Sequence, residues 1–171
     1  MTETEGNLRL TQAPVASTTM LIRRPVAEVF DAFIDPAITT RFWFSKGSGR
    51  LIEGAQVRCD WQMFGVGADV RVRTIEDHRR IIVDWGSADD DAWTTVAWDF
   101  DPRTDDTTFV RITNSGFQGS GDDVYRQACD STQEFSFLLA GLKAFLEHGI
   151  ALRLVPDHFP DGLVEGWSES E

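Results

Sequence analysis

Few residues in this chain have the type and spacing that catalysis or metal binding requires. Cys59 and Cys129 lie far apart, and the histidines are scattered at His78, His148 and His158. A zinc site needs clustered Cys and His ligands, and a nucleophilic thiol needs a neighbouring base. The sequence therefore predicts two structural thiols, no metal site, no cofactor and no catalytic residue. This weighs against an enzyme without excluding one.

Aromatic side chains are better candidates for a functional site, because the chain has 12 Phe and 6 Trp residues. Ligand pockets are mostly apolar and carry few polar groups. Alternate residues of a strand share one face of a sheet, which places several large side chains in a common cavity. The predicted ligand-binding residues are Trp43, Trp61, Met63, Trp85, Trp98, Phe117, Phe135, Leu139 and Leu142. The alternative is a filled core, because inward aromatics pack the interior of most folds.

The spacing of apolar residues predicts the elements that position these side chains. A short strand precedes a helix that begins at Pro25, and a second short helix follows it. Alternating strands then cover residues 57–113, and the first of them extends to Phe64. A long amphipathic helix runs from Asp122 to Gly149, a residue type that commonly caps helix C-termini.

This order of elements predicts an α+β fold, in which a curved antiparallel sheet wraps around the long C-terminal helix. The two short helices follow the first strand, and the final helix is the one element long enough to cover the apolar face of the sheet. We expect a polar N-terminal segment at 1–17, one domain at 18–150 and a C-terminal tail at 151–171. Phe137 faces away from the predicted cavity, so we expect the tail or a second subunit to cover it.

Charge narrows the range of partners. The chain has 28 acidic and 16 basic residues, which gives a formal net charge of −12. Nucleic-acid binders usually carry a basic face, and none is visible here, so we expect no nucleic-acid partner. No segment approaches the roughly 18 apolar residues of a membrane span, and the polar opening is unlike a signal peptide. The expectation is a cytoplasmic protein.

Several segments together resemble a known family. The string RRPVAEVFDAFIDPAITTRFW resembles the opening of START-like (SRPBCC) domains, and the whole is most similar to bacterial homologues of the activator of the heat-shock-protein-90 ATPase. Further similarity lies in WQMFG, EDHRRIIVDW, RITNSGF and FLLAGLKAFLEHGI, so that the resemblance covers Thr18 to Ile150. It implies a helix-grip (START/Bet v-like) fold with a cavity between the long helix and the sheet.

Fold resemblance alone does not fix function, so three hypotheses remain. The first is a domain that binds a small hydrophobic or aromatic ligand in the cavity. The second is an interaction module with a chaperone partner, as the family name implies, and a homodimer is compatible with both. The third is a cavity enzyme of the polyketide-cyclase type. Acid–base catalysis needs a titratable side chain inside the cavity, and the inward positions are nearly free of such residues.

Overall fold

A computed structural model describes residues 8–168 of the chain. The first seven residues of the predicted polar N-terminal segment lie outside the described residues. The elements occur in the order β1 (Ala16–Ile22), α1 (Val26–Ile34), α2 (Pro36–Thr39), β2 (Lys46–Gly47), β3 (Gln56–Trp61), a 3-10 helix (Gln62–Phe64), β4 (Val66–Glu76), β5 (Arg80–Ser87), β6 (Ala92–Thr104), β7 (Thr107–Ser115), α3 (Gly121–His148), α4 (Leu154–His158) and a second 3-10 helix (Pro160–Gly162).

The seven strands form one antiparallel sheet in the order β1-β7-β6-β5-β4-β3-β2. Strands β2 to β6 each pair with the next strand along the chain. Strand β1 pairs with β7 and forms the edge of the sheet opposite β2. Register shifts interrupt β4 between Val72 and Thr74 and β6 between Pro102 and Thr104. Such irregularities increase the local bend and twist of a strand. They are consistent with a sheet that curls around its apolar face.

The two faces of the sheet separate as the alternation predicts. Inward residues of successive strands are completely or almost completely buried, among them Val70, Val83, Val96, Val110 and Ile112. Outward residues form cross-strand ion pairs, namely Arg58–Asp69, Arg73–Asp84 and Arg80–Asp99. Exposed pairs of this kind contribute little to stability, so the buried face provides most of the stabilisation of the sheet.

The long helix α3 packs across the concave face of the sheet. Ser120 caps its start, because the Ser120 side chain accepts a hydrogen bond from the Asp123 backbone and the Asp123 carboxylate accepts one in return. Gly149 ends it in the left-handed conformation, with φ of 67°. Leu138, Leu139 and Leu142 are fully buried against the sheet. The helix-grip prediction is confirmed. No helix within residues 8–168 is long and apolar enough to cross a membrane.

The short helices position one candidate residue. On α1, Phe33 lies 5.8 Å from Trp98 between ring centroids and anchors the helix to the sheet. Asp35 caps α2 by accepting a hydrogen bond from the Ala37 backbone, as is common at helix N-termini. The chain then turns, and the Trp43 backbone N–H donates to the carbonyl of Thr39. This turn positions the Trp43 side chain beside the concave face of the sheet.

Strand β3 is shorter than the alternation predicts. It ends at Trp61, and the 3-10 helix that follows closes on Gly65 in the left-handed conformation, with φ of 64°. The period of two therefore stops at Trp61, and Met63 is not on the same face as Cys59. Met63 is buried at the end of the sheet, where its carbonyl accepts a hydrogen bond from the Val164 backbone.

Candidate functional site

The main cavity is a groove of about 680 Å³ between the sheet, one side of α3 and the C-terminal tail. Its walls come from the sheet, α3, the tail and the loop residues Trp43 and Phe117. The lining residues are Trp43, Trp61, Phe64, Val66, Gly67, Ala68, Trp85, Thr94, Asn114, Phe117, Gln127, Asp130, Ser131, Glu134, Phe135, Phe137, Val155, His158, Phe159 and Gly162. The volume lies within the range of about 300–1,000 Å³ that small-molecule sites occupy.

Three tryptophans form the apolar wall of the groove. The rings of Trp43 and Trp85 stack with centroids 5.2 Å apart and planes 10° apart. Trp61 meets both rings edge-on at 5.9 and 5.8 Å. Phe135 of α3 approaches Trp43 at 6.1 Å and brings the helix to the same cluster. The contacts hold these aromatic rings in place from a loop, two strands and a helix.

The structure separates the nine predicted ligand-binding residues into three groups. Trp43, Trp61, Trp85, Phe117 and Phe135 line the groove. A second group, Trp98, Leu139 and Leu142, is buried beneath it and supports the aromatic wall. Met63 lines a different surface depression beside the tail, because the strand that would have directed it inward ends two residues earlier.

A buried polar network closes one end of the groove. Ser131 of α3 donates a hydrogen bond of 2.9 Å to the Asn114 side-chain oxygen. The Asn114 amide donates in turn to the Thr94 hydroxyl at 2.9 Å and to the Thr95 carbonyl at 3.0 Å. Buried polar groups are costly unless hydrogen-bonded, so this network fixes the register of α3 against β6 and β7. It also presents polar atoms to a ligand.

One face of α3 lines the groove with polar side chains that the sequence analysis did not place there. Three polar residues and one phenylalanine recur at intervals of three and four residues, which puts them on a single helical stripe. They are Gln127, Asp130, Glu134 and Phe137. This stripe lies beside the apolar one that contacts the sheet. The spacing of these four residues is visible in the sequence. The stripe lines a groove because another segment of the chain lies opposite it.

The C-terminal tail provides that opposite wall. The imidazole of His158 in α4 lies 4.8 Å from the Phe137 ring, and Phe159 lies 6.4 Å from Phe64. The tail therefore covers Phe137 from the same chain, and the prediction that Phe137 faces away from the cavity is wrong, because Phe137 lines the groove. The sequence predicts no role for His158, because the tail has no apolar period that indicates where it packs.

Two carboxylates line the groove, and neither is in an ion pair within the described part of the chain. The ion pairs along α3 involve Asp123 and Glu147, whereas Asp130 and Glu134 form none among residues 8–168. Glu134 is exposed by surface area, but desolvation beside the groove raises its pKa, the charge of Asp130 raises it further, and His158 lowers it. The groove thus contains titratable groups, contrary to the expectation of a cavity nearly free of them.

Cys59 lies in the core rather than in the groove. Its thiol is buried beside a residual cavity of about 20 Å³, and burial raises its pKa to about 12. A thiol is nucleophilic as its thiolate, so this residue is not activated for attack. Among residues 8–168, no three His, Cys, Asp or Glu side chains are grouped so that they could hold a metal ion.

Comparison with known proteins identifies relatives. The sequence profile of the family described as Activator of Hsp90 ATPase homolog 1-like protein matches residues 23–147. A search of curated proteins finds no match. Among solved structures, the protein SSP2350 from Staphylococcus saprophyticus is similar, with 25% identity and a TM-score of 0.69, over 82% of this chain and 96% of that one.

Two further structures share the fold at lower identity. The Aha1 dimer from Colwellia psychrerythraea has 18% identity and a TM-score of 0.66, over 80% of this chain and 98% of that one. PFC0360w, an HSP90 activator from Plasmodium falciparum, has 20% identity and a TM-score of 0.61, over 78% and 96%. The profile match spans most of the chain and coincides with the region that carries the resemblance. The chain belongs to the Activator of Hsp90 ATPase homolog 1-like family, within the START-like superfamily.

Proposed function

We propose that this protein binds a small hydrophobic or aromatic molecule in the groove between the sheet and α3. The observation that carries the proposal is a volume of about 680 Å³ bounded by three mutually packed tryptophans. A planar apolar ligand would stack on indole faces that already hold their positions, so little ordering of side chains opposes binding. Asn114 and Ser131 line the groove, and because their N–H and O–H groups already donate within the protein, their oxygens would orient such a ligand as hydrogen-bond acceptors.

A thermal-shift screen of flat and acyl apolar compounds tests the proposal. A ligand that binds the native state at a hundredfold excess over its Kd adds about 2.7 kcal/mol of stability. For a chain of this length, that energy raises the Tm by roughly 5–10 °C. The same ligand should change the tryptophan fluorescence, because Trp43, Trp61 and Trp85 line the groove. Apolar panels that give neither effect would count against the proposal.

A matched pair of substitutions ties a positive result to the groove. Ala68 is buried on the inner face of β4 and lines the groove, so Ala68→Phe should fill part of its volume and reduce ligand affinity at least tenfold. Ala97 lies on the outer face of β6, between the inward residues Val96 and Trp98. Ala97→Phe makes the same chemical change away from the groove and should leave the affinity unaltered.

The second candidate is interaction with a chaperone ATPase, and the family assignment is the observation that favours it. The Plasmodium falciparum protein that shares this fold is an HSP90 activator. If the present chain has this role, adding it should stimulate the ATPase of an Hsp90 partner, and Ala68→Phe should leave the stimulation intact. Stimulation lost together with ligand affinity would instead make the groove part of the interaction.

A further inference from the structure

We infer that the groove selects aromatic ligands that carry a protonated amine. The inference rests on the proposed function, because it names the chemical class of the molecule that the groove binds. The carrying observation is the juxtaposition of the tryptophan wall with Asp130 and Glu134 in one cavity. Apolar and anionic surfaces therefore face the same open groove.

The two carboxylates in the groove lining favour a cation, and His158 is the one basic side chain of the lining within residues 8–168 that opposes them. Among the described residues, the lining contains two carboxylates and one imidazole but no lysine or arginine. Asp130 and Glu134 are four residues apart on α3, where like charges repel each other. Farther along the same helix, Lys143 and Glu147 have the same spacing and form an ion pair of 2.6 Å. In the described part of the chain, Asp130 and Glu134 have no such cation between them, and a bound ammonium group would supply it.

The environment of Glu134 agrees with this reading. Glu134 and Asp130 are both exposed to solvent, but desolvation beside the groove and the nearby Asp130 carboxyl disfavour the charged form of Glu134 and raise its pKa, while His158 opposes the two effects. An ammonium group held between the two carboxylates would relieve their repulsion. A neutral ligand would leave the repulsion in place, and an anionic ligand would increase it.

The aromatic wall adds to the same preference. Indole faces attract cations through their quadrupole, and this attraction strengthens where water is excluded. Trp61, Trp85 and Phe135 offer ring surface to the apolar body of the ligand, while the helical stripe offers carboxylates to its amine. A ring system substituted with a short aminoalkyl chain matches both surfaces. The net charge of −12 further raises the local concentration of such cations.

The test compares ligands that share a ring system and differ in charge, measured by isothermal titration calorimetry on the full chain. One set is 1-naphthylmethylamine, 1-naphthalenemethanol and 1-naphthoate, and a second set has the corresponding anthracenyl compounds. We expect the amine to bind at least tenfold more tightly than the alcohol, and the carboxylate to bind most weakly. The preference should fall as salt is added, because salt screens partly exposed charges.

Isosteric variants locate the preference. Asp130→Asn with Glu134→Gln should reduce amine affinity to that of the alcohol and leave alcohol affinity unchanged. The control is Asp105→Asn with Asp106→Asn in the exposed turn between β6 and β7, which changes the net charge by the same amount. The control should retain the amine preference. This comparison separates the groove carboxylates from the general attraction of an acidic protein.

Each outcome is informative. Equal affinity for amine and alcohol would overturn the inference and leave the proposed hydrophobic site standing. Loss of the preference in the control variant as well as in the groove variant would also overturn it, since the attraction would then be nonlocal. No binding by any of the six compounds would contradict the proposed function itself.

Discussion

The two cysteines differ in burial, and burial decides their chemistry. Cys59 points into the core from β3, where burial raises the pKa of its thiol to about 12. Cys129 lies on an exposed face of α3. The alternation along β3 predicts the inward position of Cys59, but sequence alone gives no measure of how completely its thiol is desolvated.

We therefore expect one reactive thiol in the native protein. At pH 8, a group with a pKa of about 12 has on the order of one part in ten thousand in the thiolate form, so Cys59 should resist a disulfide reagent such as DTNB. Cys129 should react, and unfolding in guanidinium should release a second equivalent. In Cys129→Ser, the native count should fall to zero. Two fast equivalents in the native wild-type protein would show that the core around Cys59 opens readily.

At the scale of elements, charged side chains fasten the end of α3 to the first strand. Lys143 donates a hydrogen bond of 2.8 Å to the Leu21 carbonyl and pairs with Glu147 at 2.6 Å. Arg24 donates from Nε to the Leu146 carbonyl at 2.7 Å. The Glu147 side chain is only 9% exposed. The Arg24 hydrogen bond satisfies a carbonyl at the helix C-terminus that has no partner within the helix, and the Lys143 hydrogen bond ties the helix to β1.

Replacing Glu147 by Gln should destabilise the fold by about 1–3 kcal/mol at pH 7, because it removes a charged hydrogen bond at a buried site. Burial alone would raise the pKa of Glu147, but hydrogen bonds from Lys143 and the Arg23 backbone outweigh it and hold the pKa below 4.5. The stabilisation is therefore present above pH 4.5 and is lost as pH falls through the lowered pKa. Denaturant unfolding across this range should show the wild-type and variant curves converging in acid.

The control for this prediction is Glu28→Gln. Glu28 pairs with Arg24 at 3.7 Å, but about half of each side chain is exposed. Exposed pairs contribute about 0–1 kcal/mol, so this variant should unfold close to the wild-type midpoint. Equal losses in the two variants would mean that the contacts at the end of α3 add no more than an ordinary surface pair.

Local sequence patterns predict most of the helices and strands. They also predict five residues that line the groove, namely Trp43, Trp61, Trp85, Phe117 and Phe135. Strand alternation places Trp61 and Trp85 correctly, because each strand keeps its period of two up to those positions. It fails at Met63, where a 3-10 helix replaces the strand. It also omits Glu134 and His158, because their placement depends on how the tail packs against α3. Packing between distant segments leaves no periodic signal in either segment.

At the scale of the whole molecule, the tail converts an open helix face into a groove. It follows Gly149, crosses beside α3 as α4, and is held to the end of the sheet by the hydrogen bond from Val164 to Met63. The family match ends at residue 147, before this segment begins. The matched region thus contains strands β2 to β7 and nearly all of α3, and the tail adds Val155, His158 and Phe159 to the lining.

Truncation after Gly149 should leave a folded domain with a lower Tm and a weakened site. The tail half-covers Phe137 and Phe64, and losing partial burial of this kind costs about 1–2 kcal/mol, or roughly 2–8 °C. Ligand affinity should fall as well, because one wall is removed. Light scattering should show the same oligomeric state before and after truncation, because the tail packs on Phe137 within one chain, and dissociation of a dimer would indicate packing between chains instead. His158→Ala with Phe159→Ala in the full chain should reproduce the loss of affinity with a smaller change in Tm. An unchanged melting curve, oligomeric state and ligand affinity after truncation would contradict a structural role for the tail.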